Sequence, residues 1–157
     1  GYDESMERAQ DWEMNLRIRQ TGGIVWFTPR MQVTYRPRPT LSSLARQYHD
    51  YGRWRREVTR RHPDTLSLRY LAAPVAVLGI AIGLVIGVVG LVTGLEWLAL
   101  LGFAAPTCYL LANLAASAQS TLAAPRLPWR SARLLPAVYA TMHGAWGSGF
   151  LRGGAGS

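Results

Sequence analysis

Two long apolar runs, joined by a four-residue break, dominate the sequence. They cover residues 71–92 and 97–118, and Glu96 in the break is the only charged side chain between Tyr70 and Pro125. Each run has the roughly 20 apolar residues that a helix needs to cross the hydrocarbon of a bilayer. Backbone polar groups in lipid must be satisfied within the segment, which only a helix achieves here. The sequence therefore predicts a transmembrane hairpin of two antiparallel helices, in a mostly α-helical membrane protein.

A buried hairpin in a soluble core is the alternative. It is disfavoured because soluble core helices seldom run uncharged for more than about 20 residues twice in succession. Within the first run, Gly79, Gly83 and Gly87 recur every fourth residue and line one helix face. A stripe of small residues allows another helix to approach closely, and we expect the second run to pack there.

The arginines predict the orientation of the hairpin. All 17 basic residues are Arg, and 13 of them precede the first run. The arginines that flank the hairpin are Arg53, Arg55, Arg56, Arg60, Arg61 and Arg69 before it, and Arg126, Arg130 and Arg133 after it. Because positive residues near membrane spans stay on the cytoplasmic side, both flanks are predicted to be cytoplasmic in a multi-pass protein of the cell membrane. The same asymmetry predicts contact with anionic lipid, which explains the arginines more simply than nucleic acid does.

Around the hairpin, which with its flanks we take as 70–118, the sequence divides into residues 1–40, 41–69 and 119–157. The parts outside the hairpin are each too short to fold comfortably as an independent enzyme domain. The first residue is Gly rather than Met, and we expect the chain to be a fragment. A single cysteine, Cys108, excludes an intramolecular disulfide framework.

The first forty residues predict a helix and two short strands. Trp12, Met14, Leu16 and Ile18 alternate with polar residues, which by period alone favours a strand, but the length of the segment from Met6 to Gln20 and the Gly22-Gly23 stop favour a helix. The β-favouring runs Ile24 to Phe27 and Val33 to Tyr35 are predicted to be strands.

Two further helices are predicted on either side of the hairpin. Thr40 is a good cap for a basic, amphipathic helix from Leu41 to about Arg61, which should lie along the lipid headgroups. Residues 134–151 are uncharged but rich in small residues, and they are marginal as a third span. We favour an interfacial or re-entrant helix there.

Several short motifs of the first 63 residues carry a resemblance to a known family. They are Gly1-Tyr2-Asp3-Glu4, Gln10-Asp11-Trp12-Glu13 with Arg17, Gly22-Gly23, Pro29, Arg46-Gln47 and Tyr51-Gly52-Arg53-Trp54. In order and spacing they resemble the C-terminal part of family 2 glycosyltransferases, in particular the membrane-attached bacterial enzymes that build exopolysaccharide or cell-envelope glycans. The hairpin and His143 to Gly147 agree with the tail of that group. The resemblance implies that residues 1–40 are the remnant of a GT-A-type α/β catalytic domain.

The resemblance also implies roles for particular residues. The family's general base maps onto Asp11, which would take the proton of an acceptor hydroxyl in an inverting transfer, although the preceding acid of the family is Gln10 here. A solvated carboxylate paired with a neighbouring Arg is the plain alternative for Asp11. Asp3 and Glu4 would line the acceptor site, or else serve a turn or helix start.

Three further candidates for substrate binding are Gln47, Arg53 and Trp54. The Gln-x-x-Arg-Trp element of related processive enzymes is not matched, because five residues separate Gln47 from Arg53. Trp54 could stack on a sugar or a lipid carrier, or serve as an interfacial anchor.

The resemblance places the nucleotide-sugar donor and its divalent cation, Mg²⁺ or Mn²⁺, mostly upstream of this chain. No Asp-x-Asp motif and no Gly-rich phosphate loop occur in the sequence, and we assign no residue to a metal. The acceptor would be a glycan or a lipid-linked sugar, and the fragment alone is expected to be inactive. The competing class is a non-catalytic membrane-anchoring or lipid-binding module.

Overall fold

The computed structural model describes residues 1–6, 8–34, 36–124 and 126–153, and these are mostly helical. Its helices are α1 (Gln10–Gln20), α2 (Leu41–Arg61), α3 (Leu68–Thr93), α4 (Glu96–Ala123), α5 (Trp129–Ala132) and α6 (Leu135–Arg152). A short 3₁₀ turn, Pro63–Thr65, connects α2 to α3. The fold has three parts that position the site: α1 with the turn before it, the α2–α6 pair, and the α3–α4 hairpin.

Helices α3 and α4 form the predicted hairpin. Gly94 ends α3 with a φ of 72°, a left-handed conformation that glycine adopts without steric cost. The two helices meet through the predicted glycine face, since a Cβ placed on Gly83 would lie 3.0 Å from the ring of Pro106 and one on Gly87 would lie 2.8 Å from the ring of Phe103. The expectation that the second run packs on these glycines is confirmed.

Both hairpin helices are long and apolar enough to cross a membrane. In each, only 17% of the most apolar 18-residue window is buried within the protein. A core helix of a soluble protein would be mostly buried, so the exposure supports membrane association.

Helix α6 contacts both α2 and the hairpin. A Cβ on Gly52 of α2 would collide with the carbonyl of Trp146, and one on Gly149 of α6 with the carbonyl of His49, so the two backbones almost touch. Arg56 donates to the carbonyls of Phe150 and Leu151, each at 3.1 Å, which satisfies the open end of α6. Among the described residues, α6 is not one of the helices that meet the length and hydropathy of a span, and its predicted interfacial or re-entrant placement stays a prediction.

Polar side chains of α4 face α6. Asn113 is buried and donates to the carbonyl of Pro136 at 3.1 Å, and Ser120 pairs with the hydroxyl of Tyr139 at 2.7 Å. Such pairs join helices whose polar groups would otherwise meet lipid.

Helix α2 begins and ends where the sequence predicts. The hydroxyl of Thr40 accepts from the backbone N–H of Ser43 at 3.1 Å, in a capping box that fixes the helix start. The helix is not merely a surface element, because Trp54 and Val58 are buried with Met6 in a cluster of apolar side chains. Its place along the headgroups stays a prediction.

The first helix is shorter than predicted. We expected it to begin at Met6, but α1 begins at Gln10 because Ala9 has a φ of 62°. A left-handed residue cannot continue a right-handed helix, so the chain reverses there and directs Met6 into the core.

The predicted strands are not observed. Residues 24–27 have no regular structure, and the side chains of Ile24, Trp26 and Phe27 are 84 to 85% exposed. A strand needs the backbone of a partner, and no such partner lies beside them within the described residues. The second predicted strand is also irregular at Val33 and Thr34, while its last residue, Tyr35, lies outside the described part. The α/β remnant expected over residues 1–40 is therefore not shown.

Candidate functional site

A cavity of about 650 Å³ opens where the first turn of the chain faces α1 and α2. Its lining residues are Tyr2, Asp3, Glu4, Met6, Arg8, Ala9, Gln10, Asp11 and Tyr51. The cavity brings together three of the sequence-predicted site residues, Asp3, Glu4 and Asp11. It also includes Tyr51, which belongs to one of the motifs but was not predicted to be a site residue.

Hydrogen bonds shape the turn that carries Asp3 and Glu4. The carboxylate of Asp3 accepts from the backbone N–H of Ser5 at 2.9 Å and from its hydroxyl at 2.7 Å. Arg61 of α2 donates to the other oxygen of Asp3 at 2.8 Å. These bonds, those from Ser5 first and then the charge of Arg61, hold the pKa of Asp3 below its ordinary value. Asp3 is thus an engaged, ionised carboxylate with an architectural role at the cavity edge.

Asp11 lies in the first turn of α1, with its carboxylate exposed beside the cavity. One carboxylate oxygen accepts a hydrogen bond from the backbone N–H of Trp12 at 2.8 Å. Within residues 1–6, 8–34, 36–124 and 126–153, no arginine forms an ion pair with Asp11. The alternative of an arginine-paired surface carboxylate is therefore not what this geometry shows.

Tyr51 is the α2 residue that lines the cavity, and Gln47, a predicted site residue that does not line it, lies one turn before Tyr51 on the same helix. The side chain of Gln47 is buried and donates to the hydroxyl of Tyr51 at 2.6 Å, while it accepts from Arg38 at 3.1 Å. An edge contact with Tyr48, with ring centroids 5.8 Å apart, also restrains the Tyr51 ring. Gln47 therefore orients a partly exposed aromatic ring at the cavity. The four-residue spacing of Gln47 and Tyr51 on a helix was the signal that could have identified this pair.

Arg53 and Trp54 lie elsewhere on α2. Arg53 is partly buried and is not among the residues that line the 650 Å³ cavity. Trp54 is 6% exposed and packs with Met6 and Val58, so its ring has almost no face to offer to a sugar or to headgroups. Trp54 therefore packs against Met6, which lines the cavity, and does not line the cavity itself.

Glu13 forms an ion pair with Arg17 one turn later on α1, with 2.7 Å between Oε1 and Nε. Arg17 also donates to the carbonyl of Gly1 at 2.8 Å, which ties the start of the chain to α1. The sequence did not predict that Glu13 would be only 4% exposed. Its location next to the core favours a structural role.

The acidic residues do not fit a divalent cation. Across the described part of the chain, no group of three or more His, Cys, Asp or Glu side chains is placed to hold a metal ion. The described residues therefore do not supply a ligand set for the cation that the resemblance implies.

Comparisons with known proteins give one informative match. The chain is 33% identical over 154 residues to the succinoglycan biosynthesis protein ExoA of Rhizobium meliloti (strain 1021). The alignment covers 97% of this chain and 42% of the relative, so the chain spans about two fifths of that protein's length. No protein-family model matches the chain. No solved structure matches it either. By sequence, this chain is similar to part of a protein of succinoglycan biosynthesis.

Proposed function

We propose that the chain is the C-terminal portion of an inverting glycosyltransferase of exopolysaccharide synthesis. It would act on a nucleotide-sugar donor and on a membrane-associated glycan or a lipid-linked acceptor. The observation that carries the proposal is the convergence of Asp3, Glu4, Asp11 and Tyr51 on one cavity. The similarity to a succinoglycan biosynthesis protein, which extends over nearly the whole chain, supports the same class of reaction.

Four residues of the cavity have a task in this proposal. A sugar hydroxyl is a poor nucleophile, and Asp11 accepts its proton as the oxygen attacks the anomeric carbon of the donor. Glu4, which is exposed at the cavity, accepts a hydrogen bond from another acceptor hydroxyl. The Tyr51 ring provides an apolar face for the acceptor, and Gln47 sets its orientation. Asp3 holds the turn against Arg61.

Binding of the donor and the cation is not assigned to this chain. The donor nucleotide and its cation bind mainly to the part of the longer protein that this chain does not include. The chemistry assigned to this chain is acceptor binding and proton transfer alone.

The α3–α4 hairpin anchors the enzyme in the membrane. In the proposed arrangement α1 and α2 face the cytoplasm, where nucleotide sugars are available, and the turn at Gly94 lies on the other side. Because α6 joins α2 to the hairpin, the acceptor site stays next to the bilayer, where a membrane-associated acceptor can reach it.

A non-catalytic membrane anchor is the second candidate. The close backbone contact of α2 and α6, together with their contacts to the hairpin, favours it because such a unit would hold an assembly at the membrane without any chemistry. The two candidates differ in whether turnover depends on the 650 Å³ cavity.

The test is sugar transfer by the full-length protein in membranes, supplied with a panel of ¹³C-labelled nucleotide sugars. We expect one donor to label a membrane-extractable product, whose anomeric configuration by NMR is opposite to that of the donor. Retention of configuration would contradict the inverting mechanism. No transfer from any donor, by protein that is folded and membrane-inserted, would favour the anchor.

A further inference from the structure

Arg55 of α2 lies between two aromatic rings from different elements. Its guanidinium carbon is 4.3 Å from the ring centroid of Trp12 in α1 and 4.6 Å from that of Tyr70 in α3. A planar guanidinium can stack on a ring with each of its faces, which the compact ammonium of lysine cannot do. Arg55 thus bridges the helix that carries Asp11 and the first turn of the hairpin.

The stack continues into α6. The ring of Tyr70 lies 6.4 Å from that of Trp146 at an interplanar angle of 29°, and Trp146 lies 5.4 Å from Phe150 at 16°. Five side chains, Trp12, Arg55, Tyr70, Trp146 and Phe150, therefore form one continuous column across α1, α2, α3 and α6. We call this set the cation–aromatic column.

The guanidinium is costly to place there. Its Nη1 atom is buried without a hydrogen-bond partner among the described residues, and desolvation lowers the pKa of Arg55. A buried donor without a partner is unfavourable, and a hydrophobic residue would fill the space at lower cost. The stacking on two rings restrains the orientation of the guanidinium plane.

The column includes the residue that follows Asp11. The backbone N–H of Trp12 donates to the carboxylate of Asp11 at 2.8 Å, so the position of Trp12 sets the direction of that carboxylate. Tyr70, at the other side of Arg55, is in the first turn of α3, where the apolar span starts. Arg55 therefore links the helix that carries Asp11 to the start of the apolar span.

We propose that Arg55 is a positioning residue, which holds the Asp11 carboxylate at the depth and angle that a membrane-borne acceptor requires. This inference rests on the proposed function for the identity of the reaction. The placement of α1 relative to the start of α3 through Arg55 does not depend on it. A displacement of about 1 Å between reacting groups can reduce turnover about a hundredfold. A freely diffusing acceptor can follow such a displacement, whereas an acceptor anchored in the bilayer cannot.

The experiment compares two acceptors in the full-length protein reconstituted in vesicles. The sugar that the wild-type protein accepts is supplied as an octadecyl glycoside, which enters the bilayer, and as a methyl glycoside, which does not. For Arg55→Met and Arg55→Lys we expect kcat with the octadecyl glycoside to fall about tenfold or more, with the KM for the nucleotide sugar unchanged. With the methyl glycoside, kcat should fall less than about twofold.

Matched variants separate the column from charge and from folding. Tyr70→Phe keeps the ring and should behave as the wild type, while Tyr70→Leu removes one face of the stack and should behave as Arg55→Met. Arg60→Gln removes one charge from the same helix without contacting the column, and should not discriminate between the two acceptors. Equal losses with both acceptors, or losses in Arg60→Gln that match those in Arg55→Met, would overturn the inference.

A readout without turnover distinguishes this inference from the proposed function. A fluorophore on Gln20→Cys at the end of α1, in a Cys108→Ser background, reports the height of α1 through quenching by labelled headgroups. We expect Arg55→Met to change the quenching and Tyr70→Phe to leave it unchanged. Unchanged quenching in Arg55→Met would overturn the positioning role, even if Asp11 proves to be the base. If quenching changes in Arg55→Met but the protein has no transferase activity, the positioning of α1 by Arg55 is supported and the proposed sugar transfer is refuted.

Discussion

The acidic residues of the first turn, α1 and α2 differ in their arginine partners. Asp3, Glu13 and Glu57 each form an ion pair with arginine, whereas Asp11 forms none among the described residues. Glu57 is 5% exposed and accepts from both Arg60 and Arg61, and Arg61 continues to Asp3. A carboxylate fixed in this way serves structure, while a carboxylate left open to solvent can take a proton from a substrate.

A pH-dependent stability follows from Glu57. Its hydrogen bonds, first from Arg60 and then from Arg61, lower its pKa, so folding favours the ionised form. The stabilisation is therefore complete above the ordinary pKa of a glutamate, and it disappears as the pH falls through the lowered folded-state value. Because solvent screens Arg60, we expect Glu57→Gln to cost only about 1 kcal/mol at neutral pH.

The measurement is thermal unfolding of the wild type and Glu57→Gln in detergent, from neutral pH down to about pH 3. The gap between the two melting temperatures should narrow in acid. A gap that stays constant over this range would show that the ion pairs contribute nothing to stability.

At the scale of elements, the sequence predicted the long helices better than the start of α1 and the two strands. The limits of α2, the existence of the hairpin and its break followed from the Thr40 cap, the apolar runs and Gly94, which are local signals, while α4 continues to Ala123, beyond the predicted run. The early start assigned to α1 was wrong, because nothing local announces that Ala9 is left-handed. The strands at residues 24–27 and 33–35 were predicted from composition, but a strand is completed by a neighbour that the sequence pattern does not supply.

The α2–α6 contact should be intolerant of any side chain. For Gly149→Ala we expect a loss of about 1 to 3 kcal/mol, because the added Cβ meets the backbone of His49, which cannot rotate away. Gly144→Ala is the matched control in the same helix, since nothing lies within 4 Å of its Cβ position. It should be neutral or gain up to about 1 kcal/mol from helix propensity.

Thermal unfolding of both glycine variants in detergent checks this pair. Comparable melting temperatures for Gly149→Ala and Gly144→Ala would mean that the two helices are not in backbone contact.

At the scale of the whole molecule, the site could be predicted only in part. The sequence indicated Asp3, Glu4 and Asp11, which the turn at Ala9 brings to one cavity. It singled out Trp54 and not Tyr51. Both aromatic residues lie on α2, and only the packing of Met6 and Trp12 against that helix shows that Trp54 is buried while Tyr51 is exposed. The role of Arg55 depends on three elements meeting, which no local pattern encodes.

The membrane arrangement predicts opposite locations for two exposed positions. In a Cys108→Ser background, a cysteine at Gly94 should react with an impermeant thiol reagent added outside intact cells. A cysteine at Ser131 should react only after the cells are opened, because the arginines after α4 keep that segment inside. Labelling of both positions from the same side would refute the hairpin.

The central claim is that Asp11 is the base of a sugar transfer, and turnover of full-length Asp11→Asn on its true acceptor tests it most directly. The matched control is Glu13→Gln, which makes the same chemical change two residues away, on a buried side chain paired with Arg17. We expect Asp11→Asn to fold, to bind donor normally and to lose at least about a hundredfold in turnover, while Glu13→Gln loses less than about tenfold. Near-normal turnover in Asp11→Asn would contradict the account, and Asp3 would then be the first carboxylate to examine.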